Sequence, residues 1–320
     1  MDIPAASDQA WGPTPRRTFL NVPYCEDVHQ LKAHVAILGI PYGDPYSIDE
    51  VSNSQTKAPE AVREASARVC FGLDRYDFDI GGTVFDGKPI KVVDCGNIPG
   101  DVRNLSRHYE LAEATVRTML EKDTLPIVIG GDHGVPIPVF RAYEGRGPIH
   151  LVQIDAHLDW RDEVNGVREG YSNPIRRAAE MQHIQGITQI GLRGQGSART
   201  RDVEDAMAYG CDIVTAAELH DSGMRVVLER IPDDAHYYLT IDADGVDPSV
   251  MPGVWAPHPG GVTYPQMHTL IQGLCRKGRV VGMDVNEITP IYDINQATCM
   301  AAGRFIVNLI GGAVHNGYFD

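Results

Sequence analysis

Short apolar runs alternate along this chain with segments whose apolar residues recur at three- and four-residue spacing. Runs at 34–40, 91–94, 125–129, 149–154, 188–192, 211–214, 236–242 and 279–285 read as strands. Between them, Leu105 to Glu121 carries Ala112, Val116, Met119 and Leu120 on one helical face. Further helices are predicted from Pro59 onward, near 134–143 and 174–182, and over 199–209, 216–230, 264–276 and 295–312. The two spacings are those of buried strands and amphipathic helices. Strict alternation of the two element types implies a mostly parallel sheet with right-handed crossovers. About eight strands fit an open sheet or a closed (β/α)₈ barrel, and periodicity does not separate the two. Residues 1–30, rich in Pro and polar residues, read as an irregular arm that is mobile or wraps a neighbour. No linker divides residues 31–320, which read as one domain.

Three of the apolar runs end in Asp or His. Ile154-Asp155-Ala156-His157-Leu158-Asp159-Trp160 follows the run at 149–154. In extended chain Asp155, His157 and Asp159 would share one side. Gly130-Gly131-Asp132-His133-Gly134 follows the run at 125–129. Thr240-Ile241-Asp242-Ala243-Asp244 closes another, with its two acids at i and i+2. In an open parallel sheet, sites form at the carboxyl ends of the strands. That places His133, Asp155, His157, Asp159, Asp242 and Asp244 on one edge. Converging buried charges are costly unless paired or metal-bound. Four carboxylates match the charge of two divalent cations, and an Asp/His set without thiolate suits Mn²⁺, Ni²⁺, Co²⁺ or Fe²⁺ rather than a structural zinc.

These stretches in this order, GGDH, DAHLD and TIDADGVDP, resemble the ureohydrolase superfamily of arginase, agmatinase and guanidinobutyrase, on its agmatinase-like branch. The resemblance runs from about Ile37 to the C-terminus and includes Asp94-Cys95-Gly96-Asn97 and Asp284-Val285-Asn286-Glu287. It implies a three-layer αβα sandwich and a hydrolase that releases urea and an amine from a guanidino compound. It implies two divalent cations, Mn²⁺ first and Ni²⁺ as the alternative. One would take His133, Asp155, Asp159 and Asp242; the other, His157, Asp155, Asp242 and Asp244. A water shared by such cations ionises near neutral pH. Asp159 would orient that nucleophile and carry its proton, and Glu287 would receive the guanidinium. Relatives are commonly trimers or hexamers, so a homo-oligomer is expected; a mixed oligomer in which this chain is a non-catalytic subunit is the reading from another class. All six ligand positions are filled, which argues against it. A related-fold zinc deacetylase is disfavoured because the ligand set fits two metals.

The chain departs from the family at one point. In Glu169-Gly170-Tyr171-Ser172-Asn173-Pro174, Tyr171 stands where many relatives carry a His assigned to proton transfer. A phenol is a weaker shuttle at neutral pH, so Tyr171 either carries a proton or shapes the pocket. Asn173 is a further candidate substrate contact. The loop Met251 to Gly261, MPGVWAPHPGG, adds Trp255 and His258. Trp255 either stacks on a cation or methyl groups or packs. Stacking would admit small or methylated guanidines and biguanides, such as guanidine or metformin, beside agmatine and guanidinobutyrate.

Composition narrows the partners. A net charge of −15 over 320 residues disfavours nucleic acid, which needs a basic face, and is compatible with a cationic substrate. The loops at 41–50 and 251–263 hold no Arg or Lys, while the first holds Asp44, Asp49 and Glu50. That favours a cationic or neutral substrate tail. The six cysteines are scattered, without CxxC spacing, and read as reduced and structural. No run approaches the roughly 20 apolar residues of a membrane helix, and the first residues lack a signal pattern, so a cytoplasmic location is expected.

Overall fold

The computed structural model describes residues 17–47, 54–100 and 103–320. Eight strands form one parallel sheet: β1 (Val35–Ile40), β4 (Val92–Asn97), β5 (Leu125–Gly130), β6 (Ile149–Ile154), β7 (Ile184–Leu192), β8 (Asp212–Thr215), β9 (His236–Asp242) and β10 (Arg279–Asn286). Their spatial order is β4-β1-β5-β10-β9-β6-β7-β8, with β4 and β8 as the edges. The sheet is therefore open and not a barrel. A two-stranded ribbon, β2 (Tyr76–Asp77) and β3 (Gly82–Thr83), has strands too short for apolar alternation to reveal.

Alternate residues of each central strand feed two cores. From β1, Ile37 enters one core with α1 (Ala58–Val69), α8 (Tyr264–Lys277) and α9 (Ala297–His315). Ala36, Leu38 and Ile40 enter the other, with α2 (Leu105–Glu121), α3 (Pro136–Ala142) and α4 (Pro174–Ala179). Strands covered on both faces explain the continuous apolar runs. This is a three-layer αβα sandwich. α5 (Thr200–Tyr209) joins β7 to β8. The helix predicted over 216–230 is two, α6 (Ala216–Ser222) and α7 (Met224–Arg230). Gly223 between them adopts φ 83°, which interrupts the helical bonding. By length and composition α9 could cross a membrane, yet 83% of its apolar window is buried, inside the first core.

The stretch read as an arm is anchored from residue 17 on; residues 1–16 lie outside the described residues, as do Asp49 and Glu50. Phe19 is fully buried and donates its N–H to Asp94 Oδ2 at 2.7 Å. Tyr24 bridges to Asp94 in parallel. Asp94 also receives the Arg63 fork, Nε to Oδ2 at 2.8 Å and Nη2 to Oδ1 at 3.0 Å, with both side chains shut off from water. A buried bidentate pair holds α1, β4 and the N-terminal segment together.

Replacing Arg63 by Met strands the Asp94 carboxylate and should cost about 3–5 kcal/mol. Urea unfolding of the purified protein measures this; an unchanged midpoint would contradict the anchoring role.

Candidate metal centre

The site sits where four neighbouring strands end. In the order β5-β10-β9-β6 they deliver His133, Glu287, the Asp242–Asp244 turn and the Asp155–Asp159 segment. The last two are not simple extended strand. β6 ends at Ile154, so the triplet lies beyond it, and Asp159 turns into the left-handed region with φ 52°. Asp244 lies in a 3₁₀ turn whose N–H donates to Asp242 Oδ1 at 2.8 Å. The side chains converge through these bends, not through the two-residue alternation of a strand.

Convergence is close. His133 Nδ1 lies 2.7 Å from Asp159 Oδ2, 3.1 Å from Asp155 Oδ2 and 3.3 Å from Asp242 Oδ2. His157 Nδ1 lies 3.2 Å from Asp244 Oδ2 and 3.5 Å from Asp155 Oδ1. Asp155 thus turns one oxygen to each imidazole and stands between two half-sites.

The donors fit divalent cations, and the hydrogen bonding of His133 is the test. Thr240 Oγ1 has one proton and donates it to Asp284 Oδ1 at 2.7 Å. It therefore accepts from His133 Nε2, 3.0 Å away. The ring hydrogen of neutral His133 is placed on Nε2, and Nδ1 presents a lone pair to three carboxylate oxygens. Only a cation or an extra proton makes that arrangement favourable. Outer-shell orientation of this kind is usual for metal-binding imidazoles. Asp284 is fixed in turn by Tyr238 Oη, at 2.7 Å, and Asn286 Nδ2.

Electrostatics agree. Burial, with Asp155 alongside, pushes the Asp159 carboxyl up to about 8. Burial, then Asp244 and Asp155, holds Asp242 well above the usual carboxylate range. Burial opposes ionisation of His157, but Asp155 and Asp244 outweigh it and hold the ring up to about 12. Asp155 goes the other way, lowered by His133 and His157 against its own burial. Without cations the cluster collects protons.

A cavity of about 390 Å³ opens over the cluster. Among the described residues its wall includes Tyr42, Gln55, Asp132, Tyr171, Trp255 and Glu287, and no Arg or Lys. Glu287, at φ 62°, accepts from the His133 N–H at 2.7 Å through Oε1 and from the Gln55 amide through Oε2. Desolvation, then Asp132, raises its proton affinity well above that of an ordinary Glu. Tyr171 packs on Tyr46 with ring centroids 4.4 Å apart. Trp255 is 58% exposed at the rim, 6.0 Å from the Tyr292 ring. His258 sits edge-on to His157, centroids 5.0 Å apart.

Asn173 is a correction. It is fully buried, and its side chain is consumed by Gly170 N–H, Tyr46 Oη and the Arg161 carbonyl. It builds the loop and does not face the cavity. Asp132, Gln55, Thr240 and Asp284 were not singled out in the sequence. Asp132, Thr240 and Asp284 lie in stretches quoted from the sequence, but periodicity gave none of them a role.

Comparison with known proteins gives the same picture. A family model described as the arginase family matches residues 33–311. Guanidinobutyrase of Pseudomonas aeruginosa is 27% identical over 92% of this chain and 91% of its own length. Agmatinase of Bacillus subtilis is 30% identical over 80% and 84%. The solved structure of proclavaminate amidino hydrolase from Streptomyces clavuligerus superposes with a TM-score of 0.79 at 25% identity, covering 97% of this chain and all of that one.

Cation-stripped protein should lose stability as pH rises from about 4 to 8. Asp159 and Asp242 have folded-state proton affinities above their unfolded values near 3.9, so the folded state binds more protons across that window. His157, raised likewise, adds the same sign above about 6.5. Thermal midpoints with and without Mn²⁺ should diverge as pH rises; a constant gap would count against the metal-centre assignment.

Proposed function

This chain belongs to the arginase family, and from that premise we propose how its residues cleave a guanidino C–N bond to release urea and an amine. It is a hydrolase of the ureohydrolase type. The observation that carries the reading is the closure of two imidazoles and three further carboxylates around Asp155, beneath a cavity whose remaining charged walls are acidic.

His133, Asp155, Asp159 and Asp242 would hold one divalent cation, and His157, Asp155, Asp242 and Asp244 the other. Bound there, the pair neutralises the carboxylates and makes water nucleophilic near neutral pH. Asp159 lines the cavity, with Oδ2 2.7 Å from His133 Nδ1. Its buried carboxylate takes the proton of the attacking water and returns it to the departing amine, the general-base then general-acid sequence. Glu287 directs its carboxylate at the guanidinium, a fork-matched charged pair. Its hold on the His133 N–H ties the substrate's position to the metal loop. Tyr171, braced on Tyr46, forms wall, and Trp255 closes the rim.

The substrate tail is the finer part of the proposal. With four carboxylates matched by cations, the other charged side chains on the described wall, Asp132 and Glu287, are acidic. A carboxylate tail would find no cationic partner on the described wall. An amine-terminated tail, as in agmatine, gains from the field. Guanidinobutyrate, the substrate named for one relative, ranks below it, and small methylated guanidines gain only the exposed Trp255. Mn²⁺, a cytoplasmic location and a homo-oligomer complete the reading. The carboxylate-rich ligand set supports Mn²⁺, and the burial of α9 supports a chain outside the membrane.

Urea release should be faster with agmatine than with 4-guanidinobutyrate, guanidine, arginine or metformin when the protein is loaded with Mn²⁺. Preference for a guanidino acid would overturn the tail assignment. Glu287→Gln should lower kcat/KM by ~10–100-fold, the loss of one charged hydrogen bond, while leaving two cations bound by elemental analysis.

A further inference from the structure

Beyond the six ligands, a seventh side chain reaches the centre. We propose that His258 ligates the cation on the His157 side, so that this position carries two imidazoles and its neighbour one. The inference rests on the two-cation reading above.

One ring nitrogen each of His157 and His258 and a carboxylate oxygen of Asp244 lie within 4.8 Å of one another. Ligands ~2.1 Å from a shared ion are at most ~4.2 Å apart, so a small rotation of the rings closes the set. The tautomer is already suitable. His258 Nδ1 lies 2.8 Å from the Ala256 carbonyl, which can only accept, so Nδ1 carries the hydrogen and Nε2 a free lone pair. Donation of the other ring N–H to a backbone carbonyl is how ligating imidazoles are commonly oriented.

The loop holding His258 is fixed from both sides. Arg193 Nη2 donates to the His258 carbonyl at 2.7 Å and to the Asp244 carbonyl at 2.6 Å, tying the residue directly to the metal turn. Asp247 Oδ2 accepts from Gly260 and Gly261 at 2.9 and 3.1 Å. Space for two adjacent rings comes from Gly194-Gln195-Gly196. A Cβ on Gly196 would stand 2.3 Å from His157 Cδ2, and one on Gly194 would stand 3.0 Å from His258 Cδ2. The glycines leave both imidazoles room that any side chain would fill.

The consequence is chemical asymmetry. Imidazole donors shift preference toward Ni²⁺ and Co²⁺, carboxylates toward Mn²⁺. The His157 position should therefore favour Ni²⁺ more than the His133 position does.

Calorimetric titration of chelator-stripped protein with Ni²⁺, and separately with Mn²⁺, tests this. His258→Ala should weaken one of the two Ni²⁺ equivalents by ~10-fold or more, with a smaller change for Mn²⁺. Two unchanged equivalents would overturn the proposal. The unaltered protein gives a second reading that no folding defect can obscure. Loaded with Co²⁺, it should show three exchangeable, paramagnetically shifted imidazole N–H resonances, from His133, His157 and His258. Two such signals would remove His258 and leave the two-cation centre standing; none would remove both.

Discussion

Four carboxylates held within a few ångströms of one another, largely out of water, set the terms for this molecule. Their mutual repulsion, unscreened by solvent, is a cost that no Arg or Lys on the described cavity wall offsets, and that without metal falls on protonated imidazoles and carboxyls. The fold instead gathers lone pairs. Thr240 and Asp284 hold the hydrogen of His133 on the far side of its ring, and Asp155 divides its oxygens between the two imidazoles. Asp159 and Glu287 adopt left-handed backbone, of order 1–3 kcal/mol each for such residues. That conformational cost falls on the two side chains assigned to the proton and to the guanidinium.

Much of the architecture was legible because burial on both faces leaves a plain signature. The strands written into the runs 125–129 and 149–154 appear within a residue of their expected limits, β4 runs on to Asn97 and β7 starts earlier at Ile184, and α2 begins and ends at Leu105 and Glu121 as its spacing predicts. The ligand cluster was legible for a different reason: charged residues at the ends of apolar strands have few structural uses. The path by which they converge was not. Alternation along an extended chain suggested a shared face for Asp155, His157 and Asp159, whereas a bend past Ile154 and a positive φ at Asp159 bring them together. Single-residue dihedrals of that kind leave no periodic trace. Asn173 misled because a polar residue beside Tyr171 looks the same in sequence whether it faces a substrate or its own loop.

The cavity wall separates two tasks that are usually intermingled. Its floor is a set of acids matched in number to two divalent cations, and its side carries Asp132 and Glu287. The floor provides reactivity common to the family, while the side provides the field a substrate experiences on arrival. Changes at Tyr42, Tyr171 or Trp255 themselves can therefore alter which guanidino compound enters while leaving the ligand side chains in place, although the Trp255 loop also carries His258.

The sheet order has a consequence for how the chain is made. β10, the last strand synthesised, seats itself between β5 and β9 at the middle of the sheet. Until it emerges, the ribosome holds two half-sheets, each with a bare inner edge of unpaired amides and carbonyls. Such edges invite pairing with foreign strands, and closing them by contacts so distant in sequence is slow. A nascent chain stalled before residue 279 would thus be far more prone to aggregate than the finished molecule, and the keystone that protects it is also the strand that leads into Glu287.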